Sequence, residues 1–433
     1  MMHVFENHLL RYSESIAFIE KGNFITYRQL LDDIHRSQHE IKSLFGTKQV
    51  LFEWNYSTTY KNIVLLFAFA GAKGIIMPEN ISQRLFPNAT RNVTRVFASA
   101  TTTIELTENK FTQELIKRNS SGIIISTSGT GGTPKDVVLD FNLLSEKYLR
   151  LNAKHTTVLT FSLEHISGIE AILSILTPGG TIVLEEERSF EAIANSIKKY
   201  QVNLIACTPS FLTQLYLKNY LNEGYFHSVK TINCAGEILT QAWLNKFHAG
   251  MPWVQIKQIF GTTESTSFKT ITHPNNSKRF KPGEYNIDFV VKNNILYLKN
   301  RNLMLGNWSE NRINDDQWIE TTDIVEMDQE GYLEISNRSE KMISVGGKKV
   351  NPEEVEKVIQ ELSFVKYAKV FGEENLILGQ IVIADVMATT LLEMEVKPMI
   401  LKHCRESLEA YKVPIKINFI TELALNSRHK SIK

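Results

Sequence analysis

The stretch Ser126-Thr127-Ser128-Gly129-Thr130-Gly131-Gly132-Thr133-Pro134-Lys135 constrains this chain more than any other, because it sets small and hydroxylated residues between two apolar runs. Gly122-Ile123-Ile124-Ile125 precedes it and Val137-Val138-Leu139 follows, so the spacing predicts a loop between two strands. With little side-chain bulk, consecutive backbone N–H groups can turn inward on an anion. The hydroxyls of Thr127, Ser128, Thr130 and Thr133 add donors, and Lys135 adds a positive charge. Such a cradle fits a polyphosphate. The P-loop of nucleotide hydrolases needs Gly-Lys-Ser/Thr opening a helix, whereas Pro134 precedes Lys135 here and Asp136 follows it, so that reading fails. A flexible Ser/Gly/Thr linker is the bland competitor, and the β-branched runs on both sides argue against it.

At 433 residues the chain exceeds one ordinary core and accommodates two or three domains. Hydrophobic residues at 43% against 22% charged exclude a disordered or fibrous chain. The 48 basic and 47 acidic residues leave a net charge of +1, which points to neither nucleic acid nor a membrane surface as partner. Cys207, Cys234 and Cys404 lack CxxC or Cys/His metal spacing, so buried, reduced thiols are the expectation. The N-terminal segment has no basic stretch leading into a long apolar one, and no later run reaches membrane-spanning length. A soluble, cytoplasmic protein is expected.

Along the chain, Val50-Leu51-Phe52 reads as a strand, 62–71 as a buried helix and Gly74 to Pro78 as the next strand. The rhythm is clearest from 181 onward: strand 181–184, helix 190–200, strand 202–207, helix 210–221, strand 231–234. Strands separated by helices of this length predict a parallel sheet covered on both faces, with ligands at the strands' carboxyl ends. After about residue 280 short alternating strands predict an antiparallel subdomain. Asn351, Pro352 and Glu354 signal a helix start, as N-cap, first position and capping-box partner. Phe161 to Gly168, Ala235-Gly236-Glu237, Ile259 to Glu264, Thr321-Thr322-Asp323 and Asn337 to Glu356 are the further candidate motifs. Taken singly, each also reads as packing, an ordinary turn or a hairpin leading into a helix.

Together and in this order, these motifs resemble the adenylate-forming superfamily of acyl-CoA synthetases and peptide-synthetase adenylation domains. Ser126 to Lys135 is similar to its TSGTTGxPK signature, Phe260-Gly261-Thr262-Thr263-Glu264 to YGxTE, Thr321-Thr322-Asp323 to TGD, and Leu423 to Lys433 to LPxTxxGKxxR. The resemblance implies an α/β fold: a large N-terminal domain of parallel-sheet βαβ layers with an antiparallel β subdomain, residues 1–339, and a small mobile α+β domain, residues 340–433. It implies an ATP-dependent acid–CoA ligase that makes an acyl-adenylate with Mg²⁺ and passes the acyl group to CoA. Transfer to a phosphopantetheinyl carrier protein, or a scaffold that has lost catalysis, are the alternatives.

The resemblance also implies site roles. Thr127, Ser128, Gly129, Thr130, Gly131, Gly132 and Lys135 would hold the leaving pyrophosphate, and Gly236 and Glu237 would flank adenine and acid. Phe260 would face adenine, Gly261 would let the backbone approach the nucleotide, Thr263 would reach the α-phosphate and Glu264 would bind Mg²⁺. Asp323 would hold the ribose hydroxyls and Arg338 ribose and phosphate. Phe161, His165 and Gly168 would lie at the acid pocket, Glu340 at the hinge, and Gly347 beside the pantetheine arm. Lys430 falls at the catalytic lysine. Thr322, Asn337 and His429 stand where glycine is usual, and Lys433 replaces a terminal arginine. The pocket segments 159–168, 231–237 and 258–261 hold no Arg or Lys, so the expected acid has an uncharged aryl or medium-chain alkyl distal part.

Overall fold

The computed structural model describes residues 2–46, 50–85, 92–96, 99–105, 110–127, 135–237, 239, 241–268, 270–273, 276–283, 287–300, 304–314, 318–338, 342–375, 377–389 and 393–423. The largest sheet has eight strands and is mixed. Val50–Trp54, Ile75–Pro78 and Gly122–Thr127 run parallel at its centre. Lys135–Asp140 then returns antiparallel to Gly122–Thr127, with Thr127 opposite Lys135. The Ser/Gly/Thr stretch therefore follows one strand of an antiparallel pair and precedes the other, and its residues 128–134 lie outside the described residues.

Elsewhere the expected parallel arrangement holds for shorter groups. Leu204–Cys207, Thr231–Ala235 and Gln255–Thr262 are mutually parallel, and the antiparallel strand Thr266–Phe268 closes that sheet. Ile16–Glu20, Thr181–Leu184 and Thr156–Val158 form a second parallel set. The six-stranded sheet running from Thr270–His273 to Asp288–Lys292 is antiparallel throughout, as the short alternating strands predicted.

Helix ends explain where the sequence-based bounds move. The helix Phe190–Lys199 stops short of Tyr200 because Gln201 takes a left-handed φ of 53° and the Val202 amide bonds back to the Ile197 carbonyl. The following strand then starts at Leu204. Pro209–Leu217 ends in the same manner, with Asn219 at φ 60° and the Tyr220 amide on the Leu215 carbonyl. Asn351 caps Pro352–Gln360 by accepting from the Glu353 amide at 3.0 Å. Glu354, expected to complete a capping box, pairs with Lys412 at 2.8 Å instead.

The apolar helix Tyr60–Gly71 is buried from Ile63 to Ala70 and packs beneath the large sheet, where Phe52 and Phe69 stack with ring centroids 4.4 Å apart. A separate core, including Ile343, Val355, Val370, Ile383 and Ile400, belongs to the last part of the chain. That part meets the preceding one where Tyr367 packs against Trp243, and where the Gln214 side-chain amide donates to the Leu423 carbonyl at 2.9 Å. Among the described residues, no helix is long and apolar enough to cross a membrane.

Candidate active site

The carboxyl ends of the strands Leu204–Cys207, Thr231–Ala235 and Gln255–Thr262 open on a cavity of about 210 Å³. Thr208 and Gly236, each one step beyond such a strand end, line it. Gly236 has φ +83°, a conformation that favours glycine, so the turn after Ala235 rests on residue type. Glu237 is not on the wall. Its carboxylate accepts from the Ser210 amide at 3.0 Å, at the N-terminal turn of Pro209–Leu217, where the helix dipole favours negative charge.

Phe260, Gly261, Thr263 and Glu264 all lie on the wall. Phe260 stacks on Phe280 with centroids 3.7 Å apart, which fixes its ring. A Cβ on Gly261 would come within 2.4 Å of the Thr266 carbonyl oxygen, so the strand pair closes only over glycine. Thr262 and Ser265 exchange amide-to-hydroxyl bonds of 3.0 and 3.1 Å, holding the turn that carries Thr263 and Glu264. The antiparallel subdomain contributes Glu320, Thr321 and Thr322. Thr322 keeps φ +62°, the left-handed conformation its glycine-like position demands. Asp323 is buried just behind that turn, and its backbone stands opposite Arg338 in the strand pairing.

At the phosphate-loop end, Ser126, Thr127 and Lys135 line the cavity. Ser128, Gly129, Thr130, Gly131 and Gly132 lie outside the described residues, as do Glu340, Lys430 and the Arg338 side chain. The root of the loop is pinned by the fully buried Asp136, which accepts from Arg84, Ser126 and Ser309.

Phe161, His165, Ile166 and Ser167 line the same cavity. His165 begins the helix Ile166–Leu176, and its ring is 3.9 Å from the Glu164 carboxylate. Gly168 lies behind this wall. A Cβ there would sit 2.2 Å from the Ser162 carbonyl oxygen, so this glycine lets the turn that carries Phe161 press onto the helix. Gly347 is not part of the cavity lining; it lies in the turn between Ile343–Val345 and Lys348–Val350. Gly346 and Gly347, at φ +54° and +82°, supply its two left-handed positions.

Sequence reasoning missed a buried polar group on the cavity wall. Glu170, on the wall, accepts from Lys147 at 2.8 Å, from the Tyr148 hydroxyl at 2.7 Å and from the Ser267 amide at 3.1 Å. One signal was visible: Glu170 is the single charge in the helix Ile166–Leu176. Its partners Lys147, Tyr148 and Ser267 lie in segments brought together only by the fold.

The AMP-binding enzyme family model matches residues 55–303, and the AMP-binding enzyme C-terminal domain model matches 354–430. A 2-succinylbenzoate–CoA ligase of Listeria monocytogenes is 25% identical over 96% of this chain and 86% of its own length. An indoleacetate–CoA ligase of Aromatoleum aromaticum is 24% identical over 70% of this chain and 64% of its own. Among solved structures, the anthranilate CoA ligase AuaEII in complex with anthranoyl-AMP superposes with a TM-score of 0.76 at 17% identity, covering 99% of this chain and 95% of that one. The o-succinylbenzoate CoA synthetase from Bacillus subtilis, in complex with its acyl-adenylate intermediate, gives 0.69 at 19% identity, covering 98% and 96%. With over half its length matched by one family model and its final part by the companion model, the chain belongs to the AMP-binding enzyme family.

Proposed function

We propose that this protein is an ATP-dependent acid–CoA ligase that forms an acyl-adenylate and then a thioester. The observation that carries the reading is the cavity that unites the root of the phosphate loop, the Thr263-Glu264 turn and the Phe161/His165 wall. A carboxylate is a poor nucleophile toward an already anionic triphosphate, so the site must gather positive charge and donors between them. Unit charges about 4 Å apart interact by about 4 kcal/mol at an effective dielectric of 20, which is worth orders of magnitude in rate.

In this reading Thr127 and Lys135 hold the β- and γ-phosphates, together with the loop Ser128 to Pro134, and Thr263 donates to the α-phosphate. Asp323 accepts from the ribose hydroxyls, and Phe260 and Gly236 flank the adenine. Glu264 offers a hard oxygen ligand suited to Mg²⁺, whose remaining ligands would be phosphate oxygens and water. When bound, Mg²⁺ neutralises phosphate charge as it develops. Lys430 approaches the acid carboxylate and α-phosphate during adenylation, and the last domain then turns about Glu340 to bring Gly347 to the thiol arm.

Acid-dependent ATP–pyrophosphate exchange, followed by thioester formation with CoA, tests the reading. Lys430→Ala is expected to lower exchange at least about a hundredfold while leaving much of the thioester step from a preformed adenylate. Exchange near the wild-type rate would remove Lys430 from the mechanism. Transfer to carrier proteins but not to CoA would change the acceptor, and silence with every acid would leave a nucleotide-binding scaffold.

A further inference from the structure

We infer that Glu170 makes the acid pocket select against a second carboxylate, so that the substrate is a monocarboxylic acid whose distal part is uncharged. The inference deepens the ligase reading and rests on it for the orientation of the acid. Glu170 belongs to the cavity wall with a side chain 9% exposed, and Lys147 beside it is 7% exposed. The pair is saturated. The Lys147 ammonium donates to Glu170 at 2.8 Å, to the Ser267 hydroxyl at 3.1 Å and to the Ser267 carbonyl, which uses its three protons. Glu170 receives, besides Lys147, the Tyr148 hydroxyl and both the amide and hydroxyl of Ser267.

A distal carboxylate entering here would meet the negative charge of Glu170, and the cation behind Glu170, Lys147, is already committed to it. The other ionisable groups on the wall are Glu264, Glu320, His165 and Lys135, and in the ligase reading Lys135 is committed to the phosphates. Arg188 donates to the Thr160 carbonyl and, at 3.4 Å, to the Thr58 hydroxyl, and it is not part of the wall. A charge buried without a partner is strongly disfavoured, whereas an aryl or alkyl group against Phe161 and Ile166 gains from leaving water. The Glu170–Lys147 pair, neutral overall but with only its carboxylate end on the cavity wall, thus admits an apolar group and rejects an anion.

The test titrates wild-type protein, in the presence of AMP, with benzoate, cinnamate, hexanoate, octanoate, adipate and 2-succinylbenzoate by calorimetry, and runs pyrophosphate exchange with the same acids. Monocarboxylates are expected to bind at least about a hundredfold more tightly than the dicarboxylates. In Glu170→Gln, which leaves Lys147 without its counter-ion, that preference should fall at least about tenfold. Dicarboxylates binding as well as or better than monocarboxylates in wild type, or no acid binding, overturns the inference even where the variant fails to fold. An unchanged preference in a folded Glu170→Gln removes Glu170 as its cause. Selective binding of monocarboxylates with silent exchange would instead sink the ligase reading and leave the selectivity standing.

Discussion

Thr322 stores backbone strain at the edge of the site. A β-branched residue at φ +62° is unfavourable by about 1–2 kcal/mol relative to glycine, since its Cβ crowds the following carbonyl. The position lines the cavity between Thr321 and the buried Asp323, so the strain falls at the cavity wall. Thr322→Gly is therefore expected to raise the stability of the N-terminal part by about 1 kcal/mol, read as a higher urea midpoint. A lower midpoint would mean that the Thr322 side chain contributes packing that outweighs the strain. Gly261 and Gly168 present the converse case, where added carbons would strike carbonyl oxygens at 2.4 and 2.2 Å.

Among elements, the paired parallel strands Leu204–Cys207 and Thr231–Ala235 set Cys207 directly opposite Cys234, and both are fully buried. The hydrogen bond with Cys234, reinforced by burial, pushes the Cys207 thiol up. Burial alone pushes Cys404 up to about 11, in the helix Glu393–Ser407. A free cysteine is about one-quarter thiolate at pH 8, whereas a thiol near 11 is ionised at about the 0.1% level, so access and ionisation both oppose reaction. The native protein should resist iodoacetamide at pH 8, and all three cysteines should be alkylated in urea, as mass spectrometry would show. Rapid native labelling of Cys207 or Cys234 would reveal opening of the very strands whose ends carry Thr208 and Gly236.

For the whole molecule, the question is how the last domain serves two half-reactions. A Cβ on Gly347 would meet nothing within 4 Å among the described residues, and the backbone there has φ +82°, so Leu at this site adds unopposed bulk together with backbone strain. Gly347→Ala carries the same strain without the bulk. If Gly347 guides the thiol arm, Gly347→Leu should lose thioester formation at least about tenfold more than Gly347→Ala while pyrophosphate exchange survives in both. Equal loss of both half-reactions in both variants would assign the Gly346-Gly347 turn to folding alone. The contacts of Tyr367 with Trp243 and of Leu423 with Gln214 hold one arrangement of the two parts, and a turning domain would have to exchange them.

Sequence alone determined the order of motifs whose resemblance implies the family, and with it most of the cavity wall, because each motif is a contiguous run of residue types. Glycines at Gly236 and Gly261, hydroxyls at Thr127 and Thr263, and a carboxylate at Glu264 stand in those runs, and all of them line the cavity. The antiparallel pairing of the strands that flank the phosphate loop, the contact of Glu237 with a helix N-terminus and of Glu354 with Lys412, and the packing role of Gly168 came from tertiary structure. So did the Glu170–Lys147–Ser267 group, whose members are separated by 23 and 97 residues from Glu170. A buried charge is tolerable only with partners, and partners this remote in sequence are chosen by the fold, which is why this part of the cavity wall could be seen only once the chain was folded.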